Sequence, residues 1–231
     1  MAVTGFAREY CERLSMNVWE ELRKTDPEFA DFFRNFAFDE VVNEDDLDEH
    51  TRMMAILAAL LGCQGKEIYE EMLPAALRAG VTPVEIKEIV YQATAYLGIW
   101  RVYPFFRITN QVLEAEKVAL PLEEQVTTGI EDLVEKGVQV QVDIFGEGMK
   151  GFAASGPEES RHINRWLSGN CFGDYYTRTG LNYQQREMIT FCFLAAQGGC
   201  EPQLVSHAAG NMKVGNDKAF LIKIISQCLP Y

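Results

Sequence analysis

Residues 198–215 carry the sequence G-G-C-E-P-Q-L-V-S-H-A-A-G-N-M-K-V-G, which brings a thiol, a carboxylate and an imidazole together within one short stretch. On an α-helix, residues that are seven apart lie on nearly the same face. Cys200, Gln203 and His207 therefore form a stripe, while Glu201 is turned about 100° away from it. Because these side chains suit acid–base and thiol chemistry, we predict a functional site on this helix.

The composition is that of a globular protein with a substantial core, since 48% of the 231 residues are hydrophobic. The formal net charge of −13 argues against nucleic-acid binding, and no Lys- and Arg-rich amphipathic stretch indicates a membrane surface. The first residues are too charged for a signal peptide, and the longest apolar run, residues 53–61, is too short to cross a bilayer. We expect a cytoplasmic protein whose partners are small molecules or other protein chains.

The cysteines and histidines lack the spacing of a metal site. The six cysteines are scattered along the chain, and the three histidines, His50, His162 and His207, share no zinc-type spacing. Cys192 and Cys228 lie in apolar runs with helical periodicity, so we interpret them as small core residues. We predict neither a metal nor another cofactor.

The hydrophobic periodicity predicts an all-α fold. Thr82-Pro83-Val84-Glu85 is a capping box with proline at the first helical position, and apolar residues follow it at helical spacing. Residues 53–61 are apolar on every side, which indicates a helix buried all round. Further helices are predicted at residues 4–24, 27–38, 101–116 and 128–145, and another follows the interruption at Gly62 and Gly65 and ends at about Ala79. The V-Q-V-Q-V stretch at residues 138–142 is assigned to the helix at 128–145.

The second half of the chain repeats the first, which indicates two copies of one unit. We predict tandem modules at residues 1–120 and 121–231, joined near Pro121. The second module lacks the helix that follows Tyr96 in the first. The recurring positions pair Leu47, Arg52, Met54, Gly80, Ile86, Ile89, Val90, Gln92 and Tyr96 with Leu181, Arg186, Met188, Gly215, Leu221, Ile224, Ile225, Gln227 and Tyr231.

Several motifs resemble known families. Cys-x-x-Gln-x-x-x-His at residues 200–207 resembles the Cys-x-x-Cys-x-x-x-His of alkylhydroperoxidase D-type proteins, with Gln203 in place of the second cysteine. L-N-Y-Q-Q-R-E-M from residue 181, G-G-C-E-P-Q-L-V-S-H, V-G-N-D and Q-C-L-P-Y resemble the two-copy members of the carboxymuconolactone decarboxylase family. The resemblance covers most of the chain and implies a duplicated, compact helical module whose homologues assemble as trimers of double modules or hexamers of single ones.

The resemblance implies a site in the second module, because the first has Met72 where the second has His207. In a decarboxylation, His207 would deliver a proton to carbon, and Glu201 or Asp174 would orient its imidazole. Arg186 would hold a substrate carboxylate, although its recurrence in the first module favours a structural ion pair.

Cys200 supports an alternative chemistry. It follows two glycines and precedes a helix, where the helix dipole favours a thiolate. Gln203 removes the resolving thiol, however, so a sulfenic acid and disulfide cycle within this helix cannot run. We therefore favour decarboxylation of a lactone or related carboxylate over a peroxiredoxin-type thiol activity, with a non-catalytic helical oligomer as the third hypothesis.

Two structural expectations follow. We predict a homo-oligomer, most simply a trimer, because a second chain would cover the module that lacks its last helix. We also predict that Cys200 and His207 share a pocket at a module or subunit interface, and that the region around Met72 lines no polar site.

Overall fold

The computed structural model describes residues 2–16 and 22–231, and every regular element within these ranges is helical, which confirms the all-α prediction. Two π-helical segments, Phe36–Glu40 and Leu167–Tyr176, continue α3 and α10, and the short 3-10 helices Glu147–Met149 and Phe152–Ala154 follow α9. The α-helices in chain order are α1 Gly5–Arg13, α2 Leu22–Thr25, α3 Pro27–Asn35, α4 Val41–Asn43, α5 Glu49–Gly62, α6 Lys66–Arg78, α7 Pro83–Leu97, α8 Ile99–Ala115, α9 Leu133–Phe145, α10 Arg161–Trp166, α11 Tyr183–Gln197, α12 Glu201–Val214 and α13 Lys218–Cys228.

The centre of the fold is the crossing of α5 and α11. Every residue of α5 from Arg52 to Gly62 is buried, as its apolar sequence predicts. A Cβ added at Gly62 would lie 2.6 Å from the backbone oxygen of Phe193 on α11. Glycine at this position therefore lets the two backbones approach more closely than a larger residue would.

Side-chain caps fix where helices begin. Thr82 accepts a hydrogen bond from the backbone N–H of Glu85, whose carboxylate accepts one from the N–H of Thr82, so the predicted capping box starts α7. Asn182 and Gln185 form the equivalent box at the start of α11. These caps satisfy backbone donors that the first helical turn leaves without intrahelical partners.

Two predicted helices are shorter in the structure. The single helix predicted at residues 4–24 is wrong, because α1 ends at Arg13 and Ser15 adopts a left-handed φ of 52°. The part of that prediction at residues 17–21 lies outside the described residues. The helix predicted from residue 128 begins only at Leu133, since the Asp132 side chain accepts the N–H of Gly129 and holds the preceding residues in a turn.

Buried arginines join the two halves of the chain. Arg52 on α5 donates to Oε1 of Gln227 on α13 over 2.9 Å. Arg186 on α11 donates to Oε1 of Gln92 on α7 over 2.8 Å. The division into modules 1–120 and 121–231 stays a prediction, but these reciprocal contacts mean that the two halves interlock through one core.

Among the helices of residues 2–16 and 22–231, none combines the length and apolar character that crossing a membrane requires.

Candidate active site

A cavity of about 910 Å³ lies where α9, the second π-helical segment and α12 meet the end of α7. Its walls are largely apolar and include Phe145, Leu167, Phe172 and Leu194. The polar and basic side chains that line it include Gln141, Gln197, Cys200, Gln203, Ser206, His207 and Lys213. A mostly apolar cavity with a few polar groups is the usual form of a small-molecule site.

His207 lies on the cavity wall and is paired with a carboxylate. Its Nδ1 is 2.9 Å from Oε2 of Glu187, a residue of α11 with 0% exposure. An ionised carboxylate only accepts hydrogen bonds, so Nδ1 carries the proton that is shared with Glu187. Since Nδ1 is engaged by Glu187, Nε2 is the ring nitrogen left for a ligand in the cavity that His207 lines.

Close packing of α12 on α11 holds this pair together. A Cβ added at Gly210 would lie 2.6 Å from Oε2 of Glu187, so the glycine leaves the space that the carboxylate occupies. Asn211 donates from Nδ2 to the backbone oxygens of both Glu187 and His207. The ring of His207 also meets the rings of Tyr96 and Phe145 edge-on, with centroids 5.4 and 5.5 Å away. The imidazole is therefore fixed from several sides.

Two tyrosines extend the pair into a buried chain of hydrogen bonds. Tyr176 donates its hydroxyl proton to Oε1 of Glu187 over 2.9 Å. The hydroxyl of Tyr96 lies 2.9 Å from that of Tyr176, and the Cys171 thiol donates to Tyr96 over 3.6 Å. Burial raises the pKa of both tyrosines well above the ordinary value, and the nearby Glu187 charge acts in the same direction. Both phenols therefore stay protonated and serve as donors.

Cys200 lines the same cavity and lies directly before α12. It is the N-cap residue of α12, it follows Gly198 and Gly199, which have φ values of 68° and 67°, and its thiol donates to the Leu194 oxygen over 3.4 Å. Gln203, one turn further along, is exposed and also lines the cavity. The structure thus brings the Cys200, Gln203 and His207 stripe to one cavity.

Three predicted site residues lie elsewhere. Glu201 is exposed and does not line the cavity, so it does not orient the imidazole. Asp174 accepts a hydrogen bond from Asn170 and borders a separate cavity of about 300 Å³. Arg186 has 0% exposure and forms an ion pair with Glu88 over 3.0 Å, which is the structural role that its recurrence favours.

Glu187 was not among the predicted site residues, although the predicted repeat contains a signal for it. Because Arg52 aligns with Arg186, Met53 aligns with Glu187, just as Met72 aligns with His207. In this alignment, the first half has methionine at both positions that correspond to Glu187 and His207. Met53 and Met72 border a void that has no room for a water molecule, and the Arg52 and Gln227 side chains beside it are hydrogen bonded to each other.

Within the described ranges, no group of three or more His, Cys, Asp and Glu side chains is arranged to hold a metal ion.

Comparison with known proteins identifies one family. Residues 27–111 match the carboxymuconolactone decarboxylase family, a segment that runs from α3 into α8 and contributes Ala95 and Tyr96 to the cavity. The chain is also similar to the 4-carboxymuconolactone decarboxylase of Acinetobacter baylyi, with 31% identity over 80 residues, or 35% of this chain. The aligned part spans 60% of that relative's length.

Proposed function

We propose that the protein, whose residues 27–111 match the carboxymuconolactone decarboxylase family, decarboxylates a small lactone carboxylate with His207 as the proton donor. The observation that carries the proposal is the contact between Glu187 and His207 on the wall of a largely apolar cavity. The carboxylate holds the ring through Nδ1, which leaves Nε2 as the nitrogen that would hand a proton to a bound substrate.

The chemistry follows from the charge that decarboxylation releases. When the bond between the carboxylate and the lactone ring breaks, CO₂ leaves and the electron pair flows into the conjugated carbonyl. Nε2 of the His207 imidazolium then gives its proton to carbon, and water restores the proton to the ring. Glu187 orients the imidazole through Nδ1, while Tyr176 holds the other oxygen of that carboxylate.

We assign the binding of a substrate carboxylate to Lys213 instead of Arg186. Lys213 lines the cavity and is exposed, and its Nζ donates to the backbone oxygen of Phe145 at the end of α9. It is the one Lys or Arg side chain among the described residues that line this cavity. A Lys213→Gln variant should raise KM for a carboxylate substrate with a smaller effect on kcat.

The experiment is an assay of the purified protein with 4-carboxymuconolactone, following CO₂ release and loss of the conjugated lactone absorbance. His207→Ala should lower turnover by about a hundredfold or more, because general acid catalysis contributes that much. Glu187→Gln should cause a smaller loss, since the imidazole remains but its charged partner does not. No turnover by the parent protein would reject this substrate, and equal turnover by parent and His207→Ala would reject the role of His207.

One observation favours a second activity, which is that Cys200 shares the cavity with His207. A Cys200 thiolate would attack the distal peroxide oxygen, forming a sulfenic acid as the O–O bond breaks and releasing water or an alcohol. With Gln203 at the second position, an external thiol would have to supply the electrons that restore Cys200. A Cys200→Ser variant should lose thiol-dependent peroxide turnover but keep decarboxylation. A His207→Ala variant should lose decarboxylation.

We also propose that the protein forms a homo-oligomer, most simply a trimer. The start of α8 presents Trp100, Ile99 and Tyr103 with exposures of 83%, 43% and 50%, which is an apolar surface of the kind that subunits bury. Light scattering at micromolar concentration measures the mass directly. A stable monomer would contradict this proposal, and an oligomer without either activity would favour the non-catalytic hypothesis.

A further inference from the structure

Gln141 is a buried amide whose nitrogen makes no hydrogen bond to the described residues. It lies on α9, lines the cavity and has 1% exposure. Its Oε1 accepts a hydrogen bond from the Ser168 hydroxyl over 2.6 Å, but its Nε2 has no partner within the described part of the chain. Buried polar groups in folded proteins are nearly always paired, so an unpaired donor on a cavity wall indicates a place for a ligand atom.

The local packing explains why this amide is held in place. A Cβ added at Gly137 would lie 1.8 Å from the backbone oxygen of Ser168, so only glycine allows α9 and the second π-helical segment to approach this closely. Gln141 is one helical turn further along α9, which brings its side chain beside the Ser168 hydroxyl. Because Ser168 fixes one branch of the amide, the Nε2 branch of this cavity-lining residue is left without a partner among the described residues.

A second amide in the same cavity is also incompletely paired. Gln197 lines the cavity from the end of α11, and its buried Oε1 has no partner in the described residues. One unpaired amide donor and one unpaired amide acceptor therefore belong to side chains that line the same cavity.

We propose that Nε2 of Gln141 donates a hydrogen bond to the carbonyl oxygen of a conjugated lactone, and so makes Gln141 a substrate-binding residue. The assignment rests on the proposed function. A neutral donor suits a neutral carbonyl oxygen, whereas Lys213 is available for a carboxylate. As CO₂ leaves, negative charge develops on this carbonyl oxygen, and a fixed donor there stabilises the transition state more than the ground state.

Binding is tested with a probe that cannot be decarboxylated. Titration of the parent protein with 2(5H)-furanone, which has the conjugated lactone carbonyl but no carboxylate, should shift the Gln141 side-chain amide signals saturably in nuclear magnetic resonance spectra. Tetrahydrofuran, a ring of the same size without the carbonyl, should not shift them. Gln139 is an exposed glutamine on the same helix, and its amide signals should stay unchanged with either probe.

Catalysis is tested with Gln141→Leu and the matched control Gln139→Leu. Loss of the donor should lower kcat for carboxymuconolactone by about a hundredfold, as removal of one oxyanion donor does in other enzymes, with a smaller change in KM. Gln139→Leu should match the parent. Ser168→Ala, which releases the anchor but keeps the amide, should give an intermediate kcat and covers the case in which Gln141→Leu fails to fold.

The furanone titration and the variant kinetics together distinguish failure of the Gln141 assignment from failure of the proposed decarboxylation. A saturable shift with 2(5H)-furanone alone supports Gln141 as the carbonyl donor even if the parent shows no decarboxylation, in which case the proposed function fails. No shift of the Gln141 signals overturns the inference whatever the activity. Parent-like kcat in a folded Gln141→Leu variant overturns it as well.

Discussion

Tyr96 and Tyr176 place their hydroxyl oxygens 2.9 Å apart, so that α7, which lies in the segment matched to the family, is hydrogen bonded into the wall of the cavity. Tyr176 in turn donates to Glu187, the partner of His207. The candidate site is therefore built from both halves of the chain, although the histidine and the cysteine come from the second half alone.

The two tyrosines should differ in their effects because only Tyr176 touches Glu187. Tyr176→Phe removes a donor to a buried carboxylate, so we expect a loss of about 1.5–3 kcal/mol in the free energy of unfolding, together with reduced turnover. Tyr96→Phe removes a bond between neutral hydroxyls and should cost about 1 kcal/mol with a smaller effect on turnover. Urea unfolding and the decarboxylation assay measure both effects, and a larger loss from Tyr96→Phe would contradict the direction of this hydrogen-bond chain.

Gly210→Ala tests whether the contact between Glu187 and His207 depends on the space that Gly210 leaves beside the carboxylate. Because the added Cβ would lie 2.6 Å from the carboxylate oxygen, the side chain of Glu187 must move away from His207. We expect a loss of about 1–3 kcal/mol in stability and a loss of turnover comparable to that of Glu187→Gln. Gly5→Ala is the control, since nothing lies within 4 Å of a Cβ at that position. If the two variants behave alike, α12 does not hold the pair by close packing.

Met72 and His207 occupy matching positions in the predicted repeat, and their replacement by alanine should have opposite effects on stability and turnover. Met72 has 0% exposure in a tightly packed part of the core, so Met72→Ala should cost about 2–5 kcal/mol in stability. Its turnover per folded molecule should match the parent. His207→Ala should lose turnover with a smaller change in stability, because it borders an open cavity. Thermal unfolding and the activity of the folded fraction distinguish them, and loss of turnover in folded Met72→Ala would reject the scaffold role of the first half.

Thiol reactivity should follow burial. Cys63 is exposed and Cys200 partly buried, whereas Cys171 is buried and desolvation raises its pKa to about 12. At pH 8, which is far below that value, Cys171 holds its proton and should resist alkylation, while Cys63 and then Cys200 react. Mass spectrometry after brief iodoacetamide treatment locates the adducts. Rapid modification of Cys171 in the folded protein would contradict the buried chain of hydrogen bonds.

Much of the fold was determined by local sequence. The Thr82 capping box, the all-round apolar character of α5 and the break at Gly98 each act within one or two helical turns, so their outcome does not depend on distant contacts. The stripe of Cys200, Gln203 and His207 was predictable for the same reason, since helical spacing alone sets which side chains share a face. The end of α1 at Arg13 was missed because Leu14, Ser15 and Met16 are residue types that a helix accepts, so nothing local signals the left-handed φ of Ser15.

The tertiary structure alone decided which groups meet these side chains. Glu187 rather than Glu201 contacts His207, because Gly210 and Asn211 bring α12 against α11, a packing that helical periodicity does not encode. Arg186 is directed into the core, since Glu88 lies on a helix from the other half of the chain. The charge of Arg186 has no partner nearby in the sequence but pairs with Glu88 in the folded protein. This pairing depends on how the helices cross, because the two residues are far apart along the chain.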